Sequence, residues 1–243
     1  MTRVAVVTGG ASGIGRATCA RLVADGFTLA VCDLDGGGAK ESAGPSGFGR
    51  PVDVADADAV SGFFAELVEA FGRIDVLVNN AGISGSQQAT VLHTTPVEEW
   101  DRVIGVNVRG LFLCSRAALP VMIEQGSGHV ITIASVAGQV AFPGRSAYTT
   151  SKGAALMLAK SIAVDYAAHG VRSNAVCPGV AETPMTQWRL DVPELRAAIE
   201  SRIPLGRVAR PDEIADAVAL LASDRLSYLT GSALVVDGGY TAL

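Results

Sequence analysis

The chain has 243 residues, 49% hydrophobic and 18% charged, with 28 glycines, a length and make-up that suit one α/β domain with a large apolar core. A net charge of -5, with no run among its 19 Lys and Arg, excludes nucleic acid as the expected partner, because phosphate binding needs a basic face, and leaves small metabolites. The apolar start Val4 to Val7 is too short for a signal peptide and no run of about 18 apolar residues follows, so the expectation is a cytoplasmic protein with no membrane partner.

Short β-branched runs alternate with helical patterns along the whole chain. The first strand, Val4 to Val7, runs into Thr8-Gly9-Gly10-Ala11-Ser12-Gly13-Ile14-Gly15, and a helix begins near Gly13. Glycines there let the backbone approach a pyrophosphate, which then meets the free N–H groups of the helix start. The spacing departs from the G-x-G-x-x-G pattern, since position 18 is Thr18. The second strand, Leu29 to Cys32, ends at Asp33, where a carboxylate accepts from the adenosine ribose hydroxyls and repels a 2'-phosphate. NAD(H) is therefore favoured over NADP(H).

Gly36-Gly37-Gly38 and Ala43 to Gly49 stand out as loose loop, so the second crossover is brief, its helix little more than two turns, and a weaker strand covers Gly47 to Val52. Further helices start near Asp56, Pro96, Ala147 and Pro211, and further strands cover Val76 to Val78, Val130 to Ile133, Ser173 to Val176 and Ala233 to Val236. The alternation predicts right-handed βαβ units in a single domain, 1–243, forming a doubly wound (Rossmann) parallel sheet of about seven strands with helices on both faces and ligands at the strands' carboxyl ends.

Cys19, Cys32, Cys114 and Cys177 lie far apart without metal or redox spacing, which suggests reduced core thiols. His93, His129 and His169 are equally scattered, and structural or exposed roles are expected. No metal site is expected from these residues.

Tyr148 and Lys152 stand four residues apart, so a helix places phenol and ammonium on one face, where the cation favours phenolate and makes the tyrosine usable as an acid/base. Ser135 closes the strand Val130 to Ile133. Hydride transfer to a carbonyl leaves charge on oxygen, so a proton donor and a hydrogen-bonding partner are needed beside it. Tyr148 supplies the first and Ser135 the second.

Together with Asp53-Val54, Asn79-Asn80-Ala81-Gly82, Asn107, Pro178-Gly179 and Val236-Asp237-Gly238-Gly239, these motifs make the chain resemble the short-chain dehydrogenase/reductase family along its whole length. The resemblance implies that Gly9, Ser12, Gly13, Ile14 and Gly15 line the pyrophosphate, Asp33 and Leu34 the ribose, Asp53 and Val54 the adenine, and Asn80, Ala81 and Gly82 the cleft floor. Pro178, Gly179, Val180 and Thr183 would hold the nicotinamide end. Lys152 would bind the nicotinamide ribose, and Asn107 would position a water in a proton relay with Tyr148. The family also implies a homotetramer built through about 96–125 and 147–169.

The substrate pocket is expected from Ile83 to Gln88, Val136 to Arg145 and the stretch Ala181 to Pro204, which could act as a lid. Gln139, Phe142, Glu182, Met185 and Trp188 are candidates to touch substrate, although Glu182 and Arg189 read more readily as solvated helix charges. The expected activity is NAD(H)-dependent interconversion of a secondary alcohol and a ketone. The alternatives are a 3-oxoacyl-thioester reductase using NADP(H), which Asp33 opposes, and a catalytically silent nicotinamide-binding regulatory module, which has no need of all four of Asn107, Ser135, Tyr148 and Lys152.

Overall fold

In a computed structural model that describes residues 2–86 and 90–242, each expected strand lies within or across an observed one. They are β1 (Val4–Thr8), β2 (Thr28–Asp33), β3 (Phe48–Pro51), β4 (Val76–Asn79), β5 (Gly128–Ile133), β6 (Val171–Pro178) and β7 (Ala233–Val236). All ladders are parallel in the order β3-β2-β1-β4-β5-β6-β7. The winding direction reverses between β1 and β4, and that switch point opens a crevice at the strands' carboxyl ends.

The helices among the described residues are α1 (Gly13–Ala24), α2 (Gly36–Ala43), α3 (Ala57–Phe71), α4 (Val97–Ile104), α5 (Leu111–Gln125), α6 (Ser146–Tyr166), α7 (Pro184–Leu190), α8 (Pro193–Glu200) and α9 (Pro211–Ala222). A π-helical turn, Gly105–Gly110, joins α4 to α5. Capping follows the sequence. Asp56 accepts the N–H groups of Asp58 and Ala59 at the start of α3, and Gly72 ends that helix in the left-handed region.

Alternate strand residues feed two cores, as a strand's period of two requires. Ala5, Val7, Leu29 and Val31 pack with Cys19 and Leu22 of α1 and Ile214, Val218 and Leu221 of α9. On the other face Val6, Ala30, Leu77 and Val130 meet Phe63, Phe64 and Leu67 of α3, Leu119 and Met122 of α5, and Ile162 of α6. The run Val97–Gln125 is long and apolar enough to cross a membrane by length and composition, but α5 turns its apolar side onto β4 and β5.

Two expectations need correction. Gly36-Gly37-Gly38 is the first turn of α2 rather than loose loop: the Asp35 carboxylate accepts the Gly38 N–H at 3.0 Å and caps the helix. Its glycines cost helix propensity but permit close packing, since a Cβ on Gly36 would fall 2.9 Å from Pro51 of β3 and one on Gly49 would fall 2.4 Å from Lys40 Cα. Second, the stretch 181–204, outside the expected helix starts, holds α7 and α8, each opened by a proline at its first turn. The four cysteines are free and buried, as expected. His93 and His169 are exposed, while His129 lies inside β5, buried and bonded to Asn174 Nδ2 at 2.9 Å.

Candidate functional site

The turn after β1 is shaped by backbone contacts that exclude side chains. Gly9 and Gly13 have φ of +65° and +51°, and a Cβ on Gly15 would sit 2.0 Å from the Gly9 carbonyl oxygen. Ser12, the N-cap of α1, makes no side-chain capping bond, which leaves the first-turn N–H groups of α1 directed into the crevice. Asn80 Nδ2 fastens the turn from below, donating to the carbonyls of Thr8 at 3.0 Å and Gly9 at 2.8 Å. At the end of β2, Asp33 is oriented by the N–H groups of Ala11 at 3.0 Å and Asp35 at 3.1 Å.

This turn forms one end of a cleft of about 560 Å³. Of the expected cofactor residues, Gly9, Ser12, Gly13, Ile14, Gly15, Asp33, Leu34, Asp53, Val54, Asn80, Ala81, Gly82, Pro178, Gly179 and Thr183 line it, together with Ser135, Tyr148, Lys152, Met185 and Trp188. Val52, Val106, Ile133 and Ala134 also contribute walls, which small apolar residues in strands and a helix gave no means of singling out.

Several expected positions fall elsewhere. Val180 packs into the small cluster of Leu190, Ile203 and Val208 rather than the cleft. Gln139 reaches the Cys177 thiol at 3.8 Å, and Phe142 stacks on Tyr240 with centroids 5.8 Å apart. Neither lines the cleft. Glu182 pairs with Arg196 at 2.8 Å. Gln87 and Gln88 lie outside the described residues.

Asn107, buried in the π-helical turn, stands one layer behind the wall. Its Oδ1 accepts the Ile83 N–H at 2.8 Å, and its Nδ2 donates to the Ile83 carbonyl at 2.9 Å and to Ser151 Oγ at 2.9 Å. Ser151, which sequence reasoning did not single out, passes the connection on by donating to the Tyr148 carbonyl at 2.7 Å. A Cβ on Gly82 would meet Asn107 Oδ1 at 3.3 Å and Lys152 Nζ at 3.5 Å, so those two groups converge on the cleft floor.

Helix α6 presents Tyr148 and Lys152 on one face, with the ammonium 5.7 Å from the phenol ring centroid. The Ser135 hydroxyl stands near enough to the phenol to favour its ionised form. Burial raises the Tyr148 pKa above its ordinary value, while that hydroxyl and the nearby Arg189 charge pull it back. Burial also lowers Lys152 to about 8, which the neighbouring Cys177 partly opposes. The expected lowering of the phenol by the lysine is thus outweighed by desolvation, and the cation drawing the phenol down is Arg189.

Arg189 is no solvated helix charge. Burial and the nearby Arg145 charge weaken its hold on its proton, and its buried Nε has no hydrogen-bond partner among the described residues. Both guanidiniums flank one indole: Cζ of Arg189 and of Arg145 lie 5.2 Å and 6.0 Å from the Trp188 ring centroid. Trp188 lines the outer end of the cleft and both guanidiniums lie beside it, outside the lining itself, while the inner end carries the Tyr148 phenol, the Ser135 hydroxyl and the Lys152 amine.

The family model for enoyl-(acyl carrier protein) reductase matches residues 9–241. The chain is 54% identical over 250 residues to the 2-(R)-hydroxypropyl-CoM dehydrogenase of Xanthobacter autotrophicus, covering 100% of both chains. It is 42% identical over 247 residues to the cis-4-hydroxycyclohexanecarboxylate dehydrogenase of Sinomonas cyclohexanicum, covering 99% of this chain and 97% of that one. Among solved structures, ElxO with NADP bound superposes with a TM-score of 0.92 at 29% identity, covering 100% of both chains. Glycine turn, switch-point cleft and paired Tyr148 and Lys152 agree with these matches, and the chain belongs to the short-chain dehydrogenase/reductase family as an oxidoreductase acting on hydroxyl groups.

Proposed function

We propose that this chain, acting as one catalytic domain over residues 1–243, is an NAD(H)-dependent dehydrogenase that interconverts a secondary alcohol and a ketone on a small substrate with an anionic tail. The observation that carries the reading is that Tyr148, Ser135 and Lys152 converge at one end of a cleft whose other end is a glycine cradle.

That cradle fits a dinucleotide. A Cβ on Gly15 would collide with the Gly9 carbonyl, so the turn admits only backbone close to the phosphates, and α1 offers its N–H groups to them. Gly9, Ser12, Gly13, Ile14 and Gly15 hold the pyrophosphate, Asp33 and Leu34 the ribose, Asp53 and Val54 the adenine, and Pro178, Gly179 and Thr183 the nicotinamide end. The bound nicotinamide supplies or takes up the hydride. Asp33, with both carboxylate oxygens already oriented by backbone N–H groups, disfavours a 2'-phosphate, although ElxO binds NADP.

The remaining steps belong to this chain's own side chains. The Tyr148 oxygen takes the alcohol proton in oxidation and returns it in reduction. The Ser135 hydroxyl donates to the same substrate oxygen as charge develops there. Lys152 binds the nicotinamide ribose and supplies positive charge beside the phenol. Asn107 holds the Ile83 backbone and, through Ser151, the backbone of Tyr148, and it orients a water that relays protons from Lys152.

Substrate choice rests on the outer end. Arg145 and Arg189, both beside the cleft-lining Trp188, suit an anion on a short flexible chain, and Met185 supplies apolar wall. A secondary alcohol joined to a sulfonate, as in the substrate named for the 54%-identical relative, meets both ends of the cleft. We further infer a cytoplasmic homotetramer, in which the exposed apolar side chains Phe112 on α5 and Met157 and Val164 on α6 are covered.

The test is a panel of secondary alcohols with and without a sulfonate or carboxylate, assayed at pH 9 with NAD and with NADP. Oxidation of anionic alcohols with NAD supports the reading. Reduction of a 3-oxoacyl thioester with NADPH, and no alcohol oxidation, would establish instead the reductase activity after which the family model is described.

A further inference from the structure

Ile83, Ser84 and Gly85 line one wall of the cleft, and the segment from Ile83 to Ser86 is fastened at three points. At its start, both backbone groups of Ile83 bond to the Asn107 amide at 2.8 and 2.9 Å. In its middle, Gly85 turns through the left-handed region at φ +83°, where a Cβ would fall 2.7 Å from Glu99 Oε1. The same oxygen accepts the Ser86 N–H at 3.2 Å. At its end, the Ser86 carbonyl accepts from Arg145 Nη1, and the chain then rejoins α6, where the Thr90 N–H donates to the Gly144 carbonyl at 3.3 Å.

Two of these fastenings form a series. The Glu99 carboxylate sits in the first turn of α4, where the helix dipole favours a negative charge, and it fixes the Ser86 peptide unit. The carbonyl of the same residue, one peptide unit further on, accepts from the Arg145 guanidinium, whose Cζ lies 6.0 Å from the Trp188 ring centroid. An arginine on a four-bond stem loses much rotamer freedom when it is held, so its average position depends on the acceptor that fixes it.

We propose that Glu99 is a positioning residue for substrate recognition: by seating the Gly85–Ser86 backbone it places the Arg145 guanidinium, and so sets the affinity for the anionic tail without touching the reacting atoms. The proposal rests on the anionic-substrate reading given above. It assigns to a half-buried helix carboxylate, itself of the wrong charge to bind an anion, the task of orienting the cation that does.

The experiment compares Glu99→Ala, Glu99→Asp and Glu99→Gln with the native enzyme, using a 2-hydroxyalkyl sulfonate and the neutral 2-alkanol of equal chain length, with NAD. Glu99→Ala should raise KM for the sulfonate about tenfold, leaving kcat, the NADH dissociation constant and KM for the neutral alcohol unchanged. Glu99→Asp keeps the charge at the helix start but is one methylene too short for the Ser86 N–H, and should behave similarly even if the alanine variant folds poorly. Glu99→Gln retains an acceptor oxygen and should remain within about twofold of native. A rise shared equally by both alcohols, a fall in kcat, or a glutamine variant as impaired as alanine would overturn the proposal. A native enzyme without preference for the sulfonate overturns the substrate reading and this proposal with it, whereas a native preference that survives Glu99→Ala overturns this proposal alone.

Discussion

Lys152 Nζ donates to the backbone carbonyl of Ile133 at 2.8 Å, tying the middle of α6 to the last residue of β5. The ammonium is thereby held at the junction from which Ser135 also projects. Its burial lowers its pKa to about 8, against 10.5 for an exposed lysine. The folded protein therefore pays to keep this charge at every pH below about 8, and the cost disappears as pH rises from 8 towards 10.5. Lys152→Met should lose at least about a hundredfold in kcat, and its thermal stability relative to native should be most favourable at pH 6 and decline between pH 8 and 10.5. A relative stability that is flat over that window would contradict the buried-charge account.

Replacing Tyr148 by Phe removes the oxygen to which proton transfer is assigned above and leaves the ring. Turnover should fall by about a thousandfold or more while NADH affinity, read by fluorescence quenching, stays within about twofold. A native protein that binds NADH but turns over no alcohol would favour the silent regulatory module.

For Asp33 the expected signature is cofactor choice. Its carboxylate opposes a 2'-phosphate, and like charges in contact cost several kcal/mol, so kcat/KM with NAD should exceed that with NADP by about a hundredfold. Asp33→Ala should narrow the ratio at least about tenfold, mainly by improving NADP. A native enzyme that prefers NADP removes the basis for this assignment.

The charge on Arg189 pulls the Tyr148 pKa down against the effect of burial. Alcohol oxidation requires the ionised phenol, so its rate rises with pH through that pKa. Arg189→Leu should move the rise to higher pH and raise KM for anionic alcohols more than tenfold, with a smaller change for neutral ones. An unmoved pH profile would separate the arginine from the phenol.

His129 gives a stability prediction away from the site. Burial and the Arg172 charge lower its pKa to about 3, whereas the unfolded chain takes up that proton near 6.5. Stability is therefore lost as pH falls from 6.5 towards 3. His129→Leu should flatten the fall in urea midpoint between pH 6.5 and 4 by about one proton's worth. The same slope in both proteins would mean that other groups control acid unfolding.

Much of the architecture could be read from residue patterns because the inner strands are apolar runs buried on both faces, as in Val4–Thr8 and Val76–Asn79. Helix starts were legible at Asp56, Pro96 and Pro211, but not at Asp35, Pro184 and Pro193, which open α2, α7 and α8. Less local features were not legible either. Gly36–Gly38 resembles a flexible loop until Asp35 and the surface of β3 are included, and the π-helical turn that buries Asn107 leaves no trace in apolar spacing. The candidate site divides in the same way. Its cofactor half consists of contiguous motifs, and most of their residues line the cleft. Its substrate half depends on where particular long side chains lie, and here the Arg189 charge stands near the phenol and Trp188 while Gln139, Phe142 and Glu182 bind other partners.

The backbone of Ala209 pairs with that of Val180 and Glu182: its N–H donates to the Val180 carbonyl and its carbonyl accepts from the Glu182 N–H, both at 2.9 Å. Everything from 183 to 208, including α7, α8, Met185, Trp188 and Arg189, thus leaves and re-enters the sheet framework through a single stem one peptide wide. Arg196 braces the excursion internally by holding Glu182, Glu200 and the Leu190 carbonyl. The segment is consequently a self-braced excursion hung on one stem, so a change within it can move Met185, Trp188 and Arg189 together while the glycine turn, Ser135 and the α6 pair stay with the sheet framework.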